Sequence, residues 1–228
     1  MPADRSDDAD VASIASLAEP VRRRLYEVVV AAGQPLGREE AADRAGVPVH
    51  TARFHLDRLV AEGLLEVEYR RLSGRTGPGA GRPAKLYRRG PREVSVSLPA
   101  RDYDLLSRIL ARAVARAADS VGPVGSVVSA VAREEGAAFG STLRSSGDEL
   151  ARVADALSAR GYEPQLQETE IRVRNCPFHH AAQDQTELVC GINLAYVTGI
   201  CQGLDCTSVT VALTPRQDHC CVTVHATR

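Results

Sequence analysis

Val21, Leu25, Val28 and Val29 recur at helical spacing near the start of the chain and predict a helix from about Ser13 to Ala32. Pro20 kinks that helix or restarts it at the first helical position. Gly33, Pro35 and Gly37 then mark a loop. A short helix is predicted over Arg38–Ala45, with Ala41, Ala42 and Ala45 as a small inner face. Gly46 stops it, Val47 and Pro48 make a turn, and a second helix runs from Val49 to Glu62 with Phe54, Leu56, Leu59 and Val60 packing inward. Gly63 ends that helix, since glycine takes the left-handed conformation without steric cost. The alternating stretch LLEVEYRRL reads as a strand, SGRTGPGAGRP as a glycine-rich loop, and AKLYRRG as a returning strand. Helices, turn, helix and basic hairpin in this order make a winged helix-turn-helix, with the glycine-rich loop as the wing tip.

Beyond Val94–Leu98, a short extended link, a long helix is predicted over Asp102–Ala118 with Tyr103, Leu106, Ile109, Leu110 and Val114 on one side. Helices follow at Val127–Leu143 and at Asp148–Ala159, the latter ended by Gly161. Gln165–Arg174 reads as strand, Glu187–Leu204 as helix, and Ser208–Leu213 and Cys220–Ala226 as closing strands. The fold class is therefore α+β, in four segments. Residues 1–12 form a disordered acidic leader, 13–93 the winged helix-turn-helix, 94–120 a linker or dimerisation helix, and 121–228 an α+β cysteine-rich sensor domain.

Composition agrees with two domains. The chain has 228 residues, 44% apolar, with 4% aromatics, so its cores are built from Ala, Val and Leu. No run of apolar residues is long enough to span a membrane. The polar, acidic N-terminus lacks the apolar core of a signal peptide, and a cytoplasmic location is expected. The net charge of −1 divides unevenly. Residues 17–93 carry 15 basic and 10 acidic side chains, net +5, and the rest of the chain balances this at −6. A basic head on an acidic body fits a DNA-binding module carrying a separate domain.

The second helix of the pair would enter the major groove of an operator duplex. Its candidate contacts are Val49, His50, Thr51, Arg53, His55 and Arg58, with Arg53 able to donate two hydrogen bonds to a guanine edge. Arg70, Arg71, Arg75, Arg82 and Lys85 lie on or beside the wing, where cations meet phosphates or a minor groove. A symmetric homodimer would present two such helices to half-sites one helical turn apart.

Six cysteines, Cys176, Cys190, Cys201, Cys206, Cys220 and Cys221, all fall in the last quarter of the chain, with four of the six histidines. In a cytosolic chain such clusters are more often ligands or redox groups than disulfides. Their wide intervals differ from the paired ligands of a zinc knuckle and suit a group gripped between elements. Spacing favours Cys206 as a fourth ligand. Cys201 shares a helix face with Cys190, and strand alternation turns one of Cys220 and Cys221 away. His179 or His180 is an alternative fourth ligand. A zinc site on Cys176, Cys190, Cys220 and one His competes with a cluster, as does a plain thiol sensor or small-molecule sensor. A Cys–His enzyme is the most distant rival, because no phosphate loop or catalytic signature accompanies the cysteines.

LAEPVRRRLYEVV, AADRAGVPVHTARFHLDRLVAEGLLE and GRPAKLYRR resemble the winged-helix regulators of the ArsR/DeoR-like group. NCPFH, ELVCGIN and HCCV resemble elements of the SufR-type iron–sulfur repressors and their actinobacterial relatives. The resemblance implies a repressor that is not an enzyme, holding an iron–sulfur cluster of the 4Fe–4S type. By motif it places ligands at Cys176, Cys190 and Cys220, and it implies that the cluster controls operator affinity.

Overall fold

Pro20 restarts the first helix: in the computed structural model α1 covers Arg5–Ser16 and α2 covers Pro20–Ala31. The described residues are 5–71, 83–118, 122–144, 146–216 and 219–227, with backbone only for 5–7. Proline at the first helical position forfeits nothing, since that N–H has no partner within a helix. Glu19 caps α2, its carboxylate accepting the N–H groups of Val21 and Arg22 at 3.0 and 2.7 Å. The leader expected to be disordered is helical from Arg5. Two contacts order it: Asp10 pairs with Arg92, and the buried Ser13 hydroxyl reaches the carbonyls of Ala9 and Glu62 at 2.8 and 2.9 Å.

The chain divides into two compact units, Met1–Val96 and Ser97–Arg228. In the first, α3 (Arg38–Ala45) and α4 (Val49–Ala61) flank a turn entered through Gly46, whose φ is 65°. Strands β1 (Leu36–Gly37), β2 (Leu65–Arg70) and β3 (Ala84–Arg89) form an antiparallel sheet in the order β1-β3-β2. Two residues are too few to show an alternation, so β1 reads as loop in the sequence; it pairs Leu36 with Tyr87. Leu25, Val29, Leu36, Leu56, Leu59, Leu65 and Tyr87 make the core.

In the second unit, α5 (Tyr103–Ala117) starts at Asp102, whose carboxylate accepts the Leu105 N–H at 2.9 Å. This helix, within the segment assigned to a linker from sequence, belongs to the unit's core. It buries Leu105, Leu106, Ile109 and Ala113, while Tyr103 and Val114, expected on that face, are exposed. There follow α6 (Val124–Thr142), α7 (Glu149–Ser158), β4 (Pro164–Leu166), β5 (Glu170–Val173), α8 (His179–Asp184), α9 (Thr186–Gly203), β6 (Val209–Leu213) and β7 (Val222–Ala226). The strands form an antiparallel sheet ordered β4-β5-β7-β6. The single strand expected over Gln165–Arg174 is a hairpin, β4 and β5, closed through the Gln167 N–H to Glu170 carbonyl bond of 2.8 Å.

The axis of this unit is the pair α6 and α9. Gly136 and Gly140 of α6 meet Gly199 and Gly203 of α9 backbone to backbone. A methyl on Gly136 would collide with the Tyr196 carbonyl oxygen, and one on Gly199 with that of Arg133. This close approach fixes α9, the helix that carries Cys190 and Asn193.

Candidate nucleic-acid interface and cysteine cavity

The outward face of α4 follows from what its inward face buries. Ala52, Leu56 and Leu59 face the core, leaving Val49, His50, Arg53, Phe54 and Arg58 exposed and Thr51 half-buried. Two neighbours exchange the roles expected of them. Phe54, expected inside, is 65% exposed. His55, expected outside, turns toward α2, with Nδ1 3.3 Å from Glu19 and accepting from Arg22 Nε at 3.4 Å. Glu19 at the mouth of α2 and Arg22 together hold the imidazole on the inner side of α4. Burial alone would raise the Glu19 pKa. The two backbone N–H groups, His55 and Arg22 nevertheless hold it below the ordinary carboxylate value.

Asp57 fastens α4 to the wing. Its carboxylate takes Lys85 Nζ at 2.5 Å and the Tyr87 hydroxyl at 3.1 Å, and Lys85 lies 5.1 Å from the Tyr87 ring centre. Burial would raise the Asp57 pKa; the bonds from Lys85 and Tyr87 outweigh it and hold the pKa down. Lys85, expected on phosphate, is thus engaged within the unit. Arg58 pairs with Glu62 at 2.5 Å and Arg70 with Glu68, while Arg53 is only 3.9 Å from Asp57 and its side chain is 68% exposed. Arg71 is exposed. Arg75 and Arg82 lie outside the described residues.

In the second unit, a cavity of about 530 Å³ gathers four of the six cysteines: Cys176, Cys190, Cys220 and Cys221. Arg101, Arg174, Arg216, His179 and His219 also line it, so the thiols sit in cationic surroundings; His180 is not among the lining residues. The three cysteines expected from sequence line this cavity together with Cys221, whereas Cys206 and Cys201 are not among its lining residues. Two physical reasons explain this. Cys201 lies eleven residues after Cys190 on the same helix, which at ~1.5 Å per residue separates them by roughly 16 Å. Cys206 goes with Cys201, bonding its N–H to the Cys201 carbonyl at 3.0 Å. The Cys220–Cys221 pair, in turn, precedes β7. The Cys220 N–H bonds Val173 O at 2.8 Å and the Cys221 carbonyl accepts from Thr214 N–H at 2.6 Å, so both side chains reach the cavity from a bend where strand alternation does not apply.

The four thiols shift one another's protonation in two pairs, Cys176 with Cys220 and Cys190 with Cys221. The Cys220 thiol bonds to Cys176, lowering the Cys176 pKa against the opposing effect of burial and raising its own. Burial and the bond to Cys221 push Cys190 up to about 12. Cys201, away from the cavity, is also raised to about 12, by burial alone as the leading cause. Among the described residues, no group of three or more Cys, His, Asp or Glu side chains converges to hold a metal ion.

Behind the thiols stands a polar chain that sequence reasoning missed. Asn193 is 1% exposed and donates Nδ2 to Cys220 Sγ at 3.2 Å and, more weakly, toward Cys176 Sγ at 3.9 Å. The buried Tyr162 hydroxyl donates to Asn193 Oδ1 and fixes the amide's orientation. A signal was present: Asn193 lies one helical turn after Cys190 in an otherwise apolar run, where an amide is costly unless hydrogen-bonded. Asn175, also buried, ties the Cys176 loop to the start of the unit. Its amide donates to Ala100 O at 2.9 Å and Gly161 O at 2.6 Å, and it accepts from Arg101. The Asp102 N–H bonds Pro177 O at 3.2 Å.

Residues 17–68 match the family model described as a helix-turn-helix domain. No curated protein and no solved structure matches the chain. The matched segment runs from just before α2 into β2, and the antiparallel β2–β3 pair adds the wing. The N-terminal unit is a winged helix-turn-helix, and the protein is a DNA-binding transcriptional regulator, a class that usually lacks enzymatic activity. Among the described residues no helix is long and apolar enough to cross a membrane.

Proposed function

We propose that the protein is a transcriptional repressor of the SufR type, acting as a homodimer, whose C-terminal unit holds an iron–sulfur cluster that controls operator affinity. The ligands are Cys176, Cys190, Cys220 and Cys221. The observation that carries this reading is the single cavity shared by these four thiols and rimmed by Arg101, Arg174 and Arg216. Thiolate-ligated clusters are anionic, and cationic walls offset that charge. Sulfur is the donor chemistry such a group takes, and thiols that line one cavity without converging on one point would suit a polynuclear group better than a zinc ion, which takes its ligands around one point at about 2.3 Å. A cluster would supply sensitivity to oxidant and to iron supply, and because its ligands must be deprotonated its binding would release their protons. Two of these thiols hold theirs firmly without it.

The protein's own residues furnish the route from cavity to chain entry. Cys176 is followed by Pro177 and preceded by Asn175, and both hold residues 100–102, directly before α5. A group that reorders the Cys176 loop therefore acts on the segment where the chain enters this unit. Regulation requires that the ligand bind two states of the protein unequally, and this loop is where the difference would arise.

The test is anaerobic purification with iron, acid-labile sulfide and zinc analysis. Iron and sulfide in equal amounts, with brown colour, are expected. A colourless protein with one zinc per chain would sink the cluster assignment, and a metal-free protein whose DNA affinity responds to thiol oxidants would replace it with direct thiol sensing.

A further inference from the structure

We infer that Phe54 reads a thymine methyl group in the operator and is a specificity-determining residue of this protein. The inference rests on α4 being the helix that enters the major groove.

The argument begins with the cost of the ring where it stands. A phenyl group left in water on a helix whose opposite face has room for apolar residues is unfavourable, and here the neighbouring His55 turns in while Phe54 stays out. The two rings pack edge to face at 5.1 Å between centres, so His55, itself held by Glu19, limits where Phe54 can point. Phe54 shares its face with His50, four residues earlier. Arg53 and Val49 flank it, the latter 41% exposed. The face therefore mixes one large apolar group with hydrogen-bond donors.

That mixture matches the chemistry of one surface. In the major groove the base edges present hydrogen-bonding groups and a single apolar group, the thymine C5-methyl. Arg53 meets the acceptors of a guanine, and Phe54 covers the methyl of a thymine close to it in the same groove. The surplus of basic residues over 17–93 favours a nucleic acid over a protein as the occupant of this face.

The experiment enriches duplexes from a random library with the full-length protein. Each thymine of the enriched sequence is then replaced by deoxyuridine, which lacks only the methyl. For the wild type, one position should lose about fourfold in affinity, the equilibrium worth of one methyl group returned to water. Phe54→Ala should abolish that loss at that position alone, and Phe54→Leu should retain part of it. Unchanged thermal melting of both variants shows that the fold is intact, as expected for an exposed side chain. If Phe54→Ala keeps the same methyl dependence at every position, the inference is overturned while DNA reading stands. If no duplex is enriched, the inference falls together with the assignment of α4 as the reading helix.

Discussion

Replacing Asn193 by Leu, of similar size, removes the amide that joins Tyr162 to the cavity sulfurs. The Tyr162 hydroxyl is then left in the core without its partner, at 4% residue exposure. A stranded buried hydroxyl costs about 1–3 kcal/mol, and the loss of weak N–H···S bonds adds little, so a destabilisation of about 2 kcal/mol is expected. Tyr162→Phe strands the amide oxygen instead and costs a similar amount. The double variant removes both ends of the bond, and replacing both partners by apolar groups is close to neutral. The two substitutions should therefore be strongly non-additive: with each single loss about 2 kcal/mol and the double variant close to neutral, the coupling is about 3–4 kcal/mol. In a domain of this size 1 kcal/mol moves the melting temperature by roughly 3–4 °C. Each single variant should melt about 6–8 °C below the wild type, and the double variant well above the sum of the two losses. Calorimetry of the reduced, metal-free protein measures this. Additive shifts would refute the claim that Tyr162 and Asn193 form one hydrogen-bonded unit.

Gly199→Ala should cost about 3 kcal/mol or prevent folding of the second unit, because the added methyl meets the Arg133 carbonyl and backbone cannot yield. Gly191→Ala, on the same helix with nothing within 4 Å of its methyl, should instead stabilise by about 0.5–1 kcal/mol, and urea melts of the pair compare them directly. Glu19→Ala should cost about 1 kcal/mol through loss of the α2 cap. Glu19 and Asp57 both have pKa values lowered in the folded protein. Their contribution is therefore full above the ordinary carboxylate pKa and lost as pH falls through the lowered values. Denaturation followed from neutral pH to about pH 3 should show the Glu19→Gln variant with a flatter acid limb than the wild type. Arg53→Ala should weaken binding to an enriched duplex by about tenfold or more and to random duplex much less, as competition gel shifts would record.

The N-terminal unit was largely legible because its signals are local. Pro20, Gly46 and Gly63 punctuate helices, and Ala41, Ala42 and Ala45 mark an inner face by size. Phe54 and His55 misled because hydrophobicity alone sends Phe inward; what decides the matter is the charge of Glu19, on a different helix and 36 positions earlier. In the second unit the helices were legible and the site only in part. Cys176, Cys190 and Cys220, singled out by motif, line one cavity. Cys221 lines the same cavity from a bend where strand alternation does not apply, and Cys206, favoured by its interval in sequence, lies beyond α9 and does not line it. The hairpin at Gln167–Glu170 lacks the glycine or asparagine that usually marks a turn, which is why two strands read as one.

The proposal that the four thiols of this cavity hold a cluster stands or falls with one comparison. Cys221→Ser and Cys206→Ser are purified anaerobically beside the wild type, and iron and acid-labile sulfide are measured per chain. Cys221→Ser should lose most of both, while Cys206→Ser should retain the wild-type content. Full loading of Cys221→Ser together with an empty Cys206→Ser would contradict the assignment of the site to this cavity.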